Sequence, residues 1–249
     1  MKILIRLCIV IVLLSAGTVS ARVIIPEIPI GTTGNFLAVG NYNVNKGSSD
    51  LGTVVQLEAN GTILVDEGNP VKFFFNQSDK NLEGVTDWIQ SGYNDSDWEN
   101  GVSGVGYNSI QTTSVLDTND QGAIYTRYER FNLPNASAIS SLTIRIDYDD
   151  GVIVWLNGVE VLRANMVIPE AVPNWDWGLS ENHESTNKLG PDPTRWAAPA
   201  SNLFGVGEVN PSDTIIDYTF DVVFNPTHPT PVEPAGKLAA SWGSIKANY

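Results

Sequence analysis

The chain has 249 residues, a formal net charge of −14 and one cysteine. Such an acidic surface repels nucleic-acid phosphates and keeps the protein soluble, and one cysteine cannot build a disulfide framework. Nucleic-acid binders and disulfide-stapled miniproteins are thereby set aside, while a neutral partner such as sugar, or a cation such as calcium, remains compatible.

Residues 1–21 read as a secretory signal peptide. Lys2 and Arg6 form the positive region, Ile9 to Leu14 the apolar core, and Val19-Ser20-Ala21 the small-residue cleavage site before Arg22. The apolar run is too short for a spanning helix, which needs ~20 residues, and no later stretch replaces it. Cleavage takes Cys8 with it and moves the charge from −14 to −16 through loss of Lys2 and Arg6. The expected product is a secreted, cysteine-free chain, long enough to bury a core without disulfides.

From Arg22 to Pro226 the apolar runs are short and show no helical period. Phe36 to Val39 is a strand candidate. Thr53 to Glu58 and Thr62 to Val65 flank Asn60-Gly61, a pair suited to positive φ at both central positions and therefore to a tight hairpin. Val71 to Phe75 is a further strand. Ala123 to Phe131, Leu142 to Tyr148 and Ile215 to Phe224 alternate apolar with polar residues. In the last of these Ile216, Tyr218, Phe220, Val222 and Phe224 make the buried face. Many short strands separated by turn signals predict an all-β, antiparallel β-sandwich over residues 22–225.

The opening of the motif DYDDGVIVWLNGVEV (147–161) crowds three aspartates into four positions. Asp149-Asp150-Gly151 and Asn157-Gly158 both read as tight turns, so the stretch predicts a three-strand meander whose acids bond the local backbone. Val152 to Leu156 is apolar throughout, as befits a strand covered on both faces. The alternative is a structural calcium held by oxygen ligands, with Asp147, Asp149 and Asp150 in one cluster and Asp117 and Asn119 in another. Neither cluster completes a helix-loop-helix calcium pattern: Gly158 stands at the twelfth position of the first and Tyr128 at the twelfth of the second. Arg127 and Arg145 are expected to pair across strands with Glu129 or Asp147.

Pro169 to Ala200 is a long irregular stretch with five prolines and three tryptophans, and loops of this length are commonly functional. Trp175, Trp177 and Trp196, with Asp176 and His183 nearby, offer stacking faces and polar groups for a sugar; the competing reading is that these tryptophans plug one end of the sandwich. Trp88, Trp98 and Trp155 are expected in the core. Residues 226–236 form a proline-rich linker. In the tail, 237–249, Leu238, Trp242 and Ile245 fall on one helical face, which suits docking to a protein partner. No nucleophile elbow, His-Glu-x-x-His or phosphate loop is present, and no catalytic residue is assigned.

Asp97-Trp98 within YNDSDWENGVSGVGY, YTRYERF (125–131) and LTIRIDYDDGVIVWLNGVEVLRANM (142–166) together resemble the galactose-binding-domain-like β-sandwich of secreted bacterial proteins. They are more distantly similar to the sugar-binding jelly roll of family 2 glycoside hydrolases. The resemblance covers about Thr86 to Met166 and extends weakly to Phe36–Gly40 and Ile215–Phe224. It implies a jelly roll, and a non-catalytic accessory module that binds carbohydrate or a related surface ligand through loops at one end. In some such modules a structural calcium is present. The usual setting beside a catalytic domain is not seen within this chain.

Overall fold

The computed structural model describes residues 22–28, 34–43, 50–76, 87–110, 113–114, 122–128, 130–133, 135–166, 173, 183, 185–197, 200–201 and 215–225. The segments expected to form a signal peptide (1–21), linker (226–236) and tail (237–249) lie outside the described residues. Alternating apolar residues fold the described chain into strands: β1 (Val23–Pro26), β2 (Leu37–Tyr42), β3 (Leu51–Ala59), β4 (Thr62–Val65), β5 (Pro70–Asn76), β6 (Glu99–Val102), β7 (Val105–Tyr107), β8 (Thr113–Ser114), β9 (Ala123–Tyr128), β10 (Ser141–Tyr148), β11 (Gly151–Leu156), β12 (Val159–Ala164), β13 (Ala200–Ser201) and β14 (Ile215–Asn225). Three short 3₁₀ turns, and no α-helix, accompany them among the described residues. No helix there is long and apolar enough to cross a membrane.

The strands form two mainly antiparallel sheets packed as a β-sandwich. One has eight strands in the order β1-β14-β10-β3-β7-β8, with β13 added to β14 and β4 to β3. The other has six in the order β12-β11-β2-β9-β5-β6. Both inner faces contribute to one core, with Leu37, Val39, Phe73, Ile124, Val152 and Val154 from the six-stranded sheet and Val55, Leu57, Ile144, Ile146, Ile216 and Phe220 from the eight-stranded sheet. In β14 Ile216, Phe220, Val222 and Phe224 are buried as expected, whereas Tyr218 of the same face is half-buried and Ile215, expected on the opposite face, is buried.

The two Asn-Gly pairs do what their chemistry requires. Asn60 and Gly61 take φ of 48° and 78° between β3 and β4, and Asn157 and Gly158 take 51° and 83° between β11 and β12, the left-handed pair suited to a two-residue hairpin. Asn157 also serves as an anchor. Its Oδ1 accepts from the Phe36 amide (2.9 Å), and its Nδ2 donates to the Pro26 carbonyl and to Asn35 Oδ1 (both 2.7 Å). The hairpin thereby fastens the connection that leads into β2.

The expected meander is not formed. β10 pairs with β14 and β3, while β11 pairs with β12 and β2. The bend at Asp149-Asp150 carries the chain from one sheet to the other, and only the β11–β12 half is a hairpin. A tight turn fixes the local backbone direction without fixing which strand receives each edge. Strand β11 is covered on both faces: Val152, Val154 and Leu156 face the sandwich core, and Ile153 and Trp155 face outward into a second apolar cluster.

That second cluster covers the outer face of the six-stranded sheet. Trp88 stacks on Tyr125 (4.6 Å between ring centroids, 11° between planes), meets Trp155 edge-on at 5.3 Å and touches Trp98 at 5.9 Å. All three expected core tryptophans are buried here. The segment that supplies Trp88 and Trp98 is tied down by Arg127 of β9. Its Nε pairs with Asp95 at 2.8 Å, its Nη1 donates to the Trp88 and Gln90 carbonyls, and its guanidinium lies over the Phe36 ring at 4.7 Å. Burial pulls this guanidinium's pKa downward, with Asp95 opposing. Gly40 belongs to the same face: a Cβ there would sit 2.7 Å from the Tyr42 hydroxyl, so any larger residue requires the buried Tyr42 ring to shift.

Candidate functional site

At the crossover the backbone is held from several directions. The Asp149 amide donates to the Gly52 carbonyl and the Asp150 amide to the His183 carbonyl, both at 2.9 Å. Asn41 Nδ2 donates to the carbonyls of Asp149 (2.9 Å) and Gly151 (3.0 Å), and Asn165 Nδ2 donates to that of Asp150 (2.9 Å). Asp150 adopts φ of 59°, a left-handed conformation that Asp tolerates better than most residues. Asp149 and Asp150 are thus turn residues, as their sequence suggests, but both are buried. Asp149 Oδ2 accepts from the Ser109 hydroxyl (3.0 Å), which lies 2.7 Å from the Ser185 hydroxyl, and Asp150 Oδ1 accepts from the His183 amide (3.3 Å).

Asp147 has a different partner from the one expected. Arg145 pairs with Glu58 and Asp217, both at 3.0 Å. Asp147 instead accepts from the Thr186 amide (2.9 Å) and hydroxyl, and its Oδ2 lies 2.5 Å from Arg195 Nη1. Arg195 also pairs with Glu67 (2.8 Å) and donates through Nη2 to the carbonyls of Lys188 (2.5 Å) and Gly190 (3.0 Å). The three side chains of this cluster are almost wholly withdrawn from solvent, at 1% exposure for Arg195, 0% for Asp147 and 7% for Glu67. Burial lowers the Arg195 pKa, but Glu67 and Asp147 outweigh it and raise the group above its ordinary value.

The consequence is a strap. Residues 185–197 contain no strand, yet they are clamped to β10 through Asp147, to the β4–β5 turn through Glu67, and to themselves through the guanidinium. Trp196 follows Arg195 directly in a 3₁₀ turn and is half-buried at the surface. Leu189, on the same strap, is 65% exposed. Of the sugar-binding candidates, Trp196 therefore sits on a rigidly mounted surface segment. His183 is interior: its ring stacks on Tyr148 at 4.0 Å and 5°, and Nδ1 lies 3.1 Å from the Tyr148 carbonyl. A carbonyl only accepts, so Nδ1 carries the proton in this contact. Trp175, Asp176 and Trp177, and the ion candidates Asp117 and Asn119, lie outside the described residues. No group of three or more His, Cys, Asp or Glu suited to a metal occurs among the described residues.

Arg195 and Glu67 escaped the sequence reading. An arginine beside Thr194 and Trp196 in a proline-rich stretch carries no periodic signal, and its burial depends on a carboxylate 128 positions away.

Four buried tyrosines set the alkaline limit of the fold. Burial pushes Tyr125 up to about 12 and raises Tyr42, Tyr128 and Tyr148 above the usual 10.0. Above pH 10 the unfolded chain has released these protons while the folded chain still holds them. The contribution present below pH 10 is then lost as pH rises, at about 1.4 kcal/mol per tyrosine per pH unit. Unfolding followed by circular dichroism is expected to coincide with cooperative tyrosinate absorbance. Gradual tyrosine ionisation in a still-folded chain would contradict the assigned burial.

The chain matches no protein-family model, no curated protein and no solved structure at significance.

Proposed function

We propose that this protein is a secreted, non-catalytic binding module for carbohydrate or a related surface ligand. The supporting observation is the mounting of Trp196. Its immediate neighbour Arg195 is locked between Asp147 and Glu67, so the half-buried Trp196 adjoins a fixed support. Sugars bind through C–H faces stacked on aromatic rings, and little ordering is then left to accompany binding. The proline-rich sequence carrying Trp175 and Trp177 leads into this strap.

A glycan array probed with the wild-type chain, Trp196→Ala and Trp177→Ala tests it. The expected result is a specific glycan signal that falls about tenfold or more in Trp196→Ala, as for loss of an aromatic anchor, while the melting temperature is retained. An unchanged signal in both variants removes the tryptophans from the site. Silence across the array favours a second reading, an adhesion or structural component whose tail, with Leu238, Trp242 and Ile245, engages a protein partner.

A further inference from the structure

We propose, on the premise that the strap reads sugar, that its ligand is an uncharged glycan and that acidic polysaccharides are rejected. Recognition of a sugar carboxylate or sulfate calls for a cation or converging donors that remain available to the ligand. The cations of the described strap are Lys188 and Arg195; Arg195 is buried and spent within the fold, and Lys188 is tethered at the surface to Thr194. Arg195 spends Nε and both terminal nitrogens on Glu67, Asp147, Thr186, Lys188 and Gly190, and it is buried. Lys188 Nζ donates to the Thr194 carbonyl (2.7 Å) and hydroxyl (2.9 Å).

The anion on the strap is at the surface. Asp192 accepts from the Thr194 hydroxyl and amide, both at 2.7 Å, and these bonds hold its pKa below the usual carboxylate value. It stays ionised at neutral pH and repels a second anion, in the same sense as the net charge of −14. Apart from Asp192 and the tethered Lys188, what the strap shows to solvent is uncharged, Asn187, Leu189, Pro191 and Pro193 among it, beside the half-buried Trp196. Apolar rims, an amide and an indole suit the C–H and hydroxyl surfaces of a neutral pyranose.

Native affinity electrophoresis of the purified chain tests this with three probes: neutral polysaccharides (β-glucan, mannan, galactan), polygalacturonate and dextran sulfate. Each gel is run at low and high salt, with and without chelator. Retardation by a neutral polymer is expected, insensitive to salt and chelator, about tenfold weaker in Trp196→Ala and partly kept in Trp196→Tyr, which retains a ring face. Preferential retardation by either acidic polymer overturns the inference. Loss of that preference in salt would indicate direct charge recognition, and its loss with chelator would indicate a bridging cation. Retardation by no polymer overturns the carbohydrate reading itself, and this inference with it.

Discussion

Arg195→Met is expected to destabilise the fold by about 3–5 kcal/mol, the usual consequence of stranding a buried charge. The substitution keeps much of the side-chain volume but leaves Asp147 and Glu67 buried without their shared cation. It also withdraws donors from the Lys188 and Gly190 carbonyls, so the strap loses its internal brace together with its attachment. Urea denaturation reads the loss as a lower midpoint. A companion variant, Arg195→Met with Glu67→Met and Asp147→Leu, is expected to recover part of it, because no ion then remains to be compensated. Equal stability of wild type and Arg195→Met would mean that the three charges are not jointly buried in solution.

Trp88→Ala is the second large effect, expected at about 3–5 kcal/mol for truncation of a buried aromatic. Trp88 is at the centre of the outer cluster, in contact with Tyr125, Trp155 and Trp98, and its carbonyl receives the Arg127 guanidinium. Removing the ring opens a cavity between the 87–98 segment and the sheet. Trp88→Phe, which preserves a stacking face over Tyr125, is expected to cost less than half as much. Chemical denaturation with both variants decides the matter. A small effect from Trp88→Ala would show that the outer cluster contributes little and that the inner core alone holds the six-stranded sheet.

What the sequence reveals is what local chemistry determines. Asn60-Gly61 and Asn157-Gly158 announce hairpins because both positions require left-handed backbone, and both hairpins form. The unbroken run Val152–Leu156 announces two covered faces, and both are covered. Asp149-Asp150-Gly151 is different. The residues that make a tight hairpin also make a tight crossover, and the choice is settled by partners far away: Gly52 and Asn41 for the backbone, β14 and β3 for the edges of β10. Short strands such as β6, β7 and β8 carry too few residues for alternation to show. In the candidate site Trp196 was visible as an aromatic in an irregular stretch, but its support was not. No local pattern distinguishes a solvated arginine from one buried between two carboxylates.

The parallel pairing of β1 with β14 carries a mechanical consequence. Val23 lies beside Val222 and Pro26 beside Asn225, so the two terminal strands of the described chain run side by side in the same direction. Traction applied between Val23 and Asn225 draws these neighbours past one another along their length. Their ladder is then loaded in shear, with its bonds strained together, whereas an antiparallel pair pulled from adjacent ends would unzip one bond at a time. Extension between these two residues therefore meets its first resistance at this parallel ladder.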